Sequence, residues 1–320
     1  MDKLKIGNIS FKNNLFLAPM LDVTNMPYRL ICRKNGAAMA YIEMITSEEL
    51  FHTKDNANKK TITNKEDKPL GIQITARDVK DIKKILPMLE KGYEKEFNLI
   101  DLNCGCPADK TFKQGFGCFL LNFPEKIKKI IFLLKDNGFT TTAKIRLGFK
   151  SNNVLKVSKL IEKAGADAIT IHSRLANQDY SVPADWNQIK KVKKQISIPI
   201  IGNGDIFSGK DAEKMLEIAD FAMIGRAAIG NPLIFDEILY YLRTGKEKEF
   251  NFKQNLRQFK EYLSFSQKYN LFDMKKTKFL GVNFIKNIDG ASKLRQEFML
   301  LKNQDEINSF ITKLLKKSTD

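Results

Sequence analysis

The chain has 320 residues, of which 43% are hydrophobic and 28% are charged. This balance excludes an intrinsically disordered or fibrous protein, and a chain of this length buries roughly three quarters of its unfolded surface. No apolar run approaches the ~18 residues that cross a bilayer, and the start MDKLKIGNIS lacks the apolar stretch of a signal peptide. We therefore expect a soluble, cytoplasmic protein.

The chain is strongly basic. Its 54 Lys and Arg residues against 37 Asp and Glu give a formal net charge of +17, which favours an anionic partner, most often a nucleic acid. Because lysine far outnumbers arginine, a lysine-rich composition without a functional basic surface is the alternative. Four cysteines are too few for a disulfide framework in a chain this long, so any special cysteine is expected to act as a thiol.

Short apolar segments alternate with longer amphipathic ones up to about residue 243, as expected of strands buried on both faces and the helices between them. The predicted strands are Leu15–Met20, Met39–Glu43, Leu70–Thr75, Leu99–Asn103, Thr142–Leu147, Ala168–His172, Ile198–Gly202 and Phe221–Ile224. The helical patterns include Asp78–Glu90, Pro124–Asn137, Asn153–Ala164 and Gly209–Ile218. Eight such units predict an α/β fold, a (β/α)8 TIM barrel. A doubly wound open sheet is the alternative, since strand number does not show closure.

The pattern changes after Arg243. Residues 244–253 (TGKEKEFNFK) are polar and are predicted to be a linker. Beyond them, Leu256, Phe259 and Leu263 share one face of a helix, and no strand alternation follows. We predict a catalytic TIM barrel over 1–243, the linker, and a small C-terminal all-helical domain over 254–320.

In a barrel of this kind the active site lies where the strands end and the loops begin. The turns GNGD (202–205) and Gly225-Arg226 follow the last two strands, and a helix pattern begins at Ser208-Gly209. Glycine lets the backbone approach an anion, and such turns form the recurrent phosphate site of these barrels. An ordinary glycine turn is the alternative for each alone, but two on adjacent strands favour phosphate binding.

Polar and reactive side chains also follow the middle strands. Cys104 and Cys106 lack the second pair that a closed zinc site needs, and a disulfide across one residue would be strained. Cys106 is therefore either a reactive thiol or a structural residue. Lys144 ends an apolar strand, where a charge is costly unless it meets a ligand or partner. His172 ends another strand, with hydrogen-bonded scaffolding as the alternative role, and with Asn103 these side chains would converge on one mouth.

Eight segments carry a resemblance to a known family. They cover the whole barrel in order: LAPMLDVTNMPYRL, IEMITSEEL, GIQI, DLNCGCPADKTFKQGFGCFLL, KIRLGF, IHSRLANQDYSVPADW, IPIIGNGDIFS and MIGRAAIGNP. In these segments the chain resembles the dihydrouridine synthases, flavin enzymes that reduce selected uridines in transfer RNA, and most of all their bacterial B-type branch. The resemblance implies an NAD(P)H-dependent oxidoreductase with an FMN-binding barrel and a helical tRNA-binding domain.

Carried over position by position, the resemblance also implies site residues. Cys106 would donate the catalytic proton, and Asn103, His172 and Arg174 would meet the uracil or the flavin. The flavin would be held, with no metal, by Ala18, Pro19, Met20, Gln73, Lys144, His172, Asn203, Gly204, Asp205, Gly225 and Arg226. Of these, Lys144 would face the N1–O2 side of the flavin, and the last five would surround its phosphate.

The implied reaction moves a hydride from FMN N5 to uracil C6 and a proton from Cys106 to C5, with NADPH or NADH as the reductant. A thiol suits the second step because it is mostly protonated near neutral pH yet gives up its proton readily. Transfer RNA is the expected partner, no stable protein partner is implied, and a monomer is the default. The alternative is an FMN barrel oxidoreductase that acts on a small molecule, like a dihydroorotate dehydrogenase.

The chain departs from the family pattern at three places. Asp22 stands where the family often has glycine, and Asn25 where it often has aspartate. Val182-Pro183 replaces glycine-lysine, which removes a basic residue near the expected RNA side. A further candidate RNA surface, with a solvated helix face as its alternative, consists of Lys275, Lys276, Lys278, Lys286, Lys293 and Arg295.

Overall fold

The strands lie close to the apolar segments that predict them. The structure, a computed structural model, describes residues 4–52, 59–93, 96–286 and 288–317, so the predicted domain limits at residues 1 and 320 lie outside the described residues. In chain order the strands are β1 (Lys5–Ile6), β2 (Ile9–Ser10), β3 (Leu15–Leu17), β4 (Ala40–Tyr41), β5 (Ile45–Thr46), β6 (Leu70–Thr75), β7 (Leu99–Cys104), β8 (Thr141–Arg146), β9 (Ala168–His172), β10 (Ile200–Asn203) and β11 (Phe221–Ile224).

Strands β3 to β11 form one parallel barrel. The hydrogen-bonded order is β3-β11-β10-β9-β8-β7-β6-β4, and β5 also pairs with β6. The ring closes where Leu17 N donates to Met39 O at 2.8 Å and Ala38 N donates to Leu15 O at 2.9 Å. The predicted TIM barrel is therefore confirmed, and the open sheet is excluded.

One predicted strand is wrong in detail. The segment Met39–Glu43 is not a single strand, because β4 ends at Tyr41 and the ladder resumes only at Ile45. Between them lies the buried carboxylate of Glu43, which accepts hydrogen bonds from Asp22 N and from Lys276 Nζ. A strand ladder supplies no donors to a buried carboxylate, so the chain bends here toward partners outside the sheet.

Helices connect the strands and continue after the barrel. The α-helices are α1 (Met26–Lys34), α2 (Ser47–His52), α3 (Val79–Met88), α4 (Asp109–Lys113), α5 (Pro124–Asp136), α6 (Val154–Lys163), α7 (Trp186–Lys193), α8 (Gly209–Leu216), α9 (Ile234–Thr244), α10 (Phe252–Lys268), α11 (Met274–Phe284), α12 (Ala291–Leu300) and α13 (Gln304–Lys317). Single turns of other helix types occupy Leu89–Tyr93, Gly117–Asn122 and Arg226–Ala228. None of the helices in the described ranges is long and apolar enough to cross a membrane.

The barrel interior is apolar at one end and polar at the other. Phe11, Phe16 and Phe221 fill the amino-terminal end, with ring centroids 4.7 to 5.5 Å apart. Toward the carboxyl-terminal end the inward-facing positions of β6, β7 and β8 are polar. Barrel interiors are usually filled by branched apolar residues, so a polar upper half directs attention to the carboxyl-terminal mouth.

The helices after the barrel share its hydrophobic core. Phe259, Tyr262 and Phe284 are buried in one cluster with the barrel helices, and Tyr28 of α1 packs edge-on against Tyr262 and Phe284 at 6.2 and 6.4 Å. Residues 245–251, within the predicted linker, contain no helix or strand. A Cβ at Gly230, whose φ is +75°, would lie 2.3 Å from the backbone of Asn283, so α11 approaches the loop after β11 closely.

Candidate active site

A cavity opens at the carboxyl-terminal mouth of the barrel. It encloses about 560 Å³ of empty space, part of which is open to solvent. The ends of β3, β8, β9, β10 and β11 and the loops after them form its wall. Most of the predicted site residues line it: Ala18, Pro19, Met20, Lys144, His172, Asn203, Gly204, Asp205, Gly225 and Arg226. The remaining four, which lie outside this wall, are Gln73, Asn103, Cys106 and Arg174.

Two glycines shape the cavity in different ways. A Cβ built at Gly225 would lie 3.7 Å from Ala18 Cβ and 4.0 Å from Met20 Sδ, so a side chain would have room but would take up the space between them. Gly204 has a φ of +115°, and a Cβ there would lie 3.1 Å from His172 Cδ2. The backbone itself therefore requires glycine at 204, whereas glycine at 225 leaves space for a ligand.

The carboxylate of Asp205 is occupied by protein donors. Arg174 Nη2 lies 2.7 and 2.6 Å from its two oxygens, and Arg226 Nη2 donates to Oδ1 at 2.6 Å. Burial raises the pKa of this carboxyl, but the hydrogen bonds from Arg174 and from the N–H of Ala184, with the two guanidinium charges, hold the net pKa below its ordinary value. Asp205 therefore fixes Arg226 in the cavity wall, and only its backbone is available to an anion.

Arg174 lies behind the cavity wall, where its donors are used within the protein. Besides its pair with Asp205, its Nε donates to Val182 O at 2.6 Å and its Nη1 lies 3.3 Å from His172 Nε2. The side chain is buried. It thus holds the loop after β9 and the His172 ring in place, and any effect on a ligand passes through these groups.

His172 is a neutral hydrogen-bond donor at the end of β9. Burial, followed by the charges of Lys144, Arg146, Arg174 and Arg226, lowers the pKa of His172 to about 2. Because a guanidinium only donates, Nε2 must accept the contact from Arg174, and the ring proton is on Nδ1. The imidazole can therefore offer an N–H to a ligand without carrying charge.

Tyr180 lines the cavity but is not among the residues that the sequence predicts. Its ring lies 3.9 Å from Arg226 Cζ and stacks with the His172 ring at 6.3 Å, and 55% of the side chain is exposed. The guanidinium of Arg226 is therefore held both by this stacking and by its ion pair with Asp205. The only sequence signal was an aromatic residue in the loop after β9, which does not distinguish a cavity wall from an ordinary surface loop.

Lys144 brings a partly buried ammonium group to the cavity. Burial and the charge of Arg146 lower the pKa of Lys144 to about 8, although Asp101 and Cys106 act in the opposite direction. Its Nζ makes no hydrogen bond or ion pair with any residue that the structure describes. At neutral pH the group is therefore mostly charged and free to bind a ligand.

Gln73, Asn103 and Cys106 belong to a hydrogen-bonded chain beside the cavity. Gln73 Nε2 donates to Asp101 Oδ2 at 2.7 Å, and Asn103 Nδ2 donates to Gln73 Oε1 at 2.9 Å. Asn103 Oδ1 accepts the Cys106 N–H at 3.0 Å. The Cys106 thiol is partly exposed and lies 3.7 Å from Thr111 Oγ1. Asp101 was missed because a single aspartate in a buried strand carries no recognisable signal.

Two of the three departures from the family pattern have local explanations. Asp22 has a φ of 60°, a conformation that favours glycine, and its carboxylate lies 3.6 Å from Lys276 Nζ. Asn25 caps α1 by accepting from Tyr28 N at 3.1 Å, as aspartate would. At Val182 the backbone carbonyl accepts from Arg174 Nε, a contact that does not depend on the side chain, so nothing in the structure explains Val182-Pro183.

Some basic residues of the last helices are paired within the protein, and others are exposed to solvent. Lys276 is not free for RNA, because its Nζ lies 2.8 Å from the buried carboxylate of Glu43 and near Asp22. Lys278 and Arg295 donate to backbone carbonyls. The exposed members of the predicted surface are Lys275, Lys286 and Lys293.

Comparison with known proteins places the chain among its relatives. A family model described as "Dihydrouridine synthase (Dus)" matches residues 16–319, which include both the barrel and the helices after it. The chain belongs to the dihydrouridine synthase family. This membership confirms the resemblance of the barrel segments, and it extends the match to the C-terminal helices.

Several curated relatives carry the B-type name. The chain is 36% identical over 239 residues to tRNA-dihydrouridine synthase B of Pasteurella multocida, covering 72% of this chain and 70% of that protein. It is also 36% identical over 251 residues to tRNA-dihydrouridine synthase B of Pseudomonas aeruginosa, covering 77% and 75%. Among solved structures, histamine dehydrogenase from Rhizobium sp. 4-9 shares the fold alone, with a TM-score of 0.55, 14% identity, and coverage of 76% of this chain and 47% of that one.

Proposed function

We propose that this member of the dihydrouridine synthase family reduces the C5=C6 bond of specific uridines in tRNA to 5,6-dihydrouridine, with FMN as its bound cofactor and NADPH as the reductant. The family match over residues 16–319 carries the proposal, because it covers the helices after the barrel as well as the barrel. An oxidoreductase acting on a small molecule would account for the cavity but not for that match. Because its substrate would be tRNA, we expect the protein to act in the cytoplasm. The proposed reaction requires no second protein chain.

The residues of the cavity fit FMN. Arg226 and the backbone of Gly204 and Asp205 offer positive charge and N–H groups to a phosphate. The side-chain-free position at Gly225 leaves room for a ring against Ala18 and Met20. We assign Lys144 to the N1–O2 side of the flavin, where its unpaired ammonium would stabilise negative charge.

The hydride that adds to C6 of the uracil would be supplied by the reduced FMN when it is bound. The protein must then stabilise the enolate character that develops on C5 and O4, and donors such as the Nδ1–H of His172 and the amide of Asn103 suit this task. Cys106 donates its thiol proton to C5. Because the side chain is partly exposed, the resulting thiolate can recover its proton from solvent.

Transfer RNA would reach this mouth with one base turned out of its stack. Unstacking costs a few kcal/mol, least for a base in a loop, so a loop uridine is the expected target. We propose that the helical region 254–320 contributes phosphate contacts through its exposed lysines, Lys275, Lys286 and Lys293. Lys276 is excluded from this set by its pair with Glu43.

The phosphate contacts can be tested by the salt dependence of tRNA binding. Neutralising Lys275 and Lys293 together should lower the slope of log K against log salt by about 1.4 to 1.8, since each phosphate contact contributes roughly 0.7 to 0.9. The matched control neutralises Lys129 and Lys156, two exposed lysines of α5 and α6 on the opposite side of the barrel. Equal slopes in both double variants would remove the helical region from the proposed RNA surface.

The substrate class can be tested by supplying different electron acceptors. We expect the FMN-loaded protein to oxidise NADPH faster when unmodified tRNA is added, and free uracil or orotate to give no comparable increase. Stimulation by orotate or uracil without stimulation by tRNA would instead identify an oxidoreductase acting on a small molecule.

A further inference from the structure

A layer of polar side chains crosses the barrel interior below the cavity. Gln73, Asp101 and Thr142 are register partners on β6, β7 and β8, so their side chains lie at one height. Both Gln73 Nε2 and Thr142 Oγ1 donate to the carboxylate of Asp101, each at 2.7 Å. Asp101 is only 1% exposed, although the proposed reaction gives it no role. A buried carboxylate is costly, so its presence in the barrel calls for a physical reason.

The hydrogen bonds of this layer can run in one direction only. The backbone N–H groups of Gly105 and Cys106 lie 3.1 and 3.0 Å from Asn103 Oδ1, and N–H groups require an acceptor. The Nδ2 group of Asn103 must therefore face Gln73, whose Oε1 accepts its hydrogen bond at 2.9 Å. This leaves Gln73 Nε2 to face the carboxylate of Asp101.

Asp101 is the group that makes this direction stable. An acceptor-only carboxylate next to Gln73 prevents its amide from turning, because a turned amide would put two oxygens together. With its amide held in this orientation, Gln73 keeps Oε1 directed at Asn103 as a hydrogen-bond acceptor. Each remaining amide hydrogen of Gln73 and Asn103 is then left as a donor, which is the polarity that the carbonyl oxygens of a pyrimidine ring require.

We propose that Asp101 is a positioning residue, which orients the amides of Gln73 and Asn103 and, through Asn103, the backbone of the proton donor Cys106. The inference rests on the proposed function for its consequence in the reaction. Its structural content concerns the orientation of the chain Asp101–Gln73–Asn103–Cys106 and holds without flavin or RNA.

Two substitutions of Asp101 separate orientation from charge. Asp101→Asn keeps an oxygen for Gln73 and can donate its own amide to Thr142, so FMN affinity should stay within about threefold of the wild type. Asp101→Leu removes the acceptor, and FMN affinity, measured by fluorescence titration, should fall about tenfold, the equivalent of one hydrogen bond. Equal losses in both variants would overturn the proposal, because orientation would then not be the reason.

A second measurement needs no flavin. Cys106 is the one partly exposed cysteine, the other three being buried, so iodoacetamide should alkylate it first. In the FMN-free protein, Asp101→Leu should raise the rate at Cys106 at least about threefold by loosening its backbone anchor, while Asp101→Asn should leave it unchanged. An unchanged rate in Asp101→Leu would contradict the proposal even if the wild type reduces tRNA, and failure to reduce tRNA would leave this readout intact.

Thr170→Val is the matched control for a change inside the barrel. Thr170 Oγ1 is buried and has no hydrogen-bond partner among the described residues, so the nearly isosteric change should alter neither readout. If Asp101→Leu does not fold, Thr142→Val replaces it, since this variant removes one of the bonds that orient the Asp101 carboxylate. Thr142→Val should lose about threefold in FMN affinity. If it binds FMN as tightly as the control Thr170→Val does, the proposal is contradicted.

Discussion

Lys276 offers a sharp test of the packing between the last helices and the barrel. Its Nζ lies 2.8 and 3.1 Å from the oxygens of Glu43, whose side chain is 2% exposed, whereas Lys276 itself is 22% exposed. Lys276→Met would leave a buried carboxylate with the N–H of Asp22 as its remaining donor in the described region. Breaking a buried pair on one side costs about 3 to 5 kcal/mol, and partial exposure together with the Asp22 bond favours the lower end, about 3 kcal/mol.

Urea denaturation measures this loss directly. With a slope of about 3 kcal/mol per M for a chain of this size, the unfolding midpoint should fall by about 1 M. Lys275→Met is the matched control, because the same change at an exposed neighbour on α11 should stay within about 0.5 kcal/mol. Glu43→Gln combined with Lys276→Met should recover at least half of the loss, since a neutral amide needs no counter-charge. A loss below about 1 kcal/mol in Lys276→Met would refute the reasoning.

Three further predictions concern the cavity. Tyr180→Ala should weaken FMN binding severalfold by removing the ring stacked on Arg226, whereas Tyr180→Phe should bind within about twofold, as titration would show. The pKa of His172 is lowered to about 2, so only the unfolded chain takes up this proton as the pH falls below about 6.5. The free energy of unfolding of the wild type should therefore drop, relative to that of His172→Gln, by up to about 1.4 kcal/mol per pH unit between pH 6.5 and pH 5. Equal pH slopes of the unfolding free energy in the two proteins would contradict this. Because the pKa of Lys144 is lowered to about 8, FMN affinity should fall as pH rises from 7 to 9, and Lys144→Met should abolish that dependence in the same titration.

The sequence predicts the barrel well because buried parallel strands leave a strong local signal. Segments such as Leu70–Thr75 and Phe221–Ile224 are short and largely apolar, and the structure has strands with the same limits. The second strand was less predictable, since its interruption depends on Glu43 meeting Lys276, a residue far along the chain. Apolar periodicity carries no information about such a distant ionic partner.

In the candidate site, too, the residues at strand ends could be predicted, whereas those whose role depends on contacts between distant segments could not. Residues at strand ends, such as Lys144, His172 and Arg226, could be placed at one mouth because the fold brings strand ends together. The role of Asp205 could not, because its carboxylate and the guanidinium groups that bind it are joined only by the folded loops. Tyr180 was missed for the same reason, since its role in the site depends on stacking against Arg226 and His172, which lie on other segments of the chain.

The proposed reaction is tested most directly by mass spectrometry of tRNA isolated from a strain that lacks the enzyme, after incubation with the protein, FMN and NADPH. We predict a gain of about two mass units in a loop uridine, corresponding to one hydride and one proton. Cys106→Ala, with FMN still bound, should lose or strongly slow this gain because the proton donor is gone. An unchanged tRNA mass with the FMN-loaded wild type, or an undiminished rate with Cys106→Ala, would contradict the proposed reaction or its proton donor, respectively.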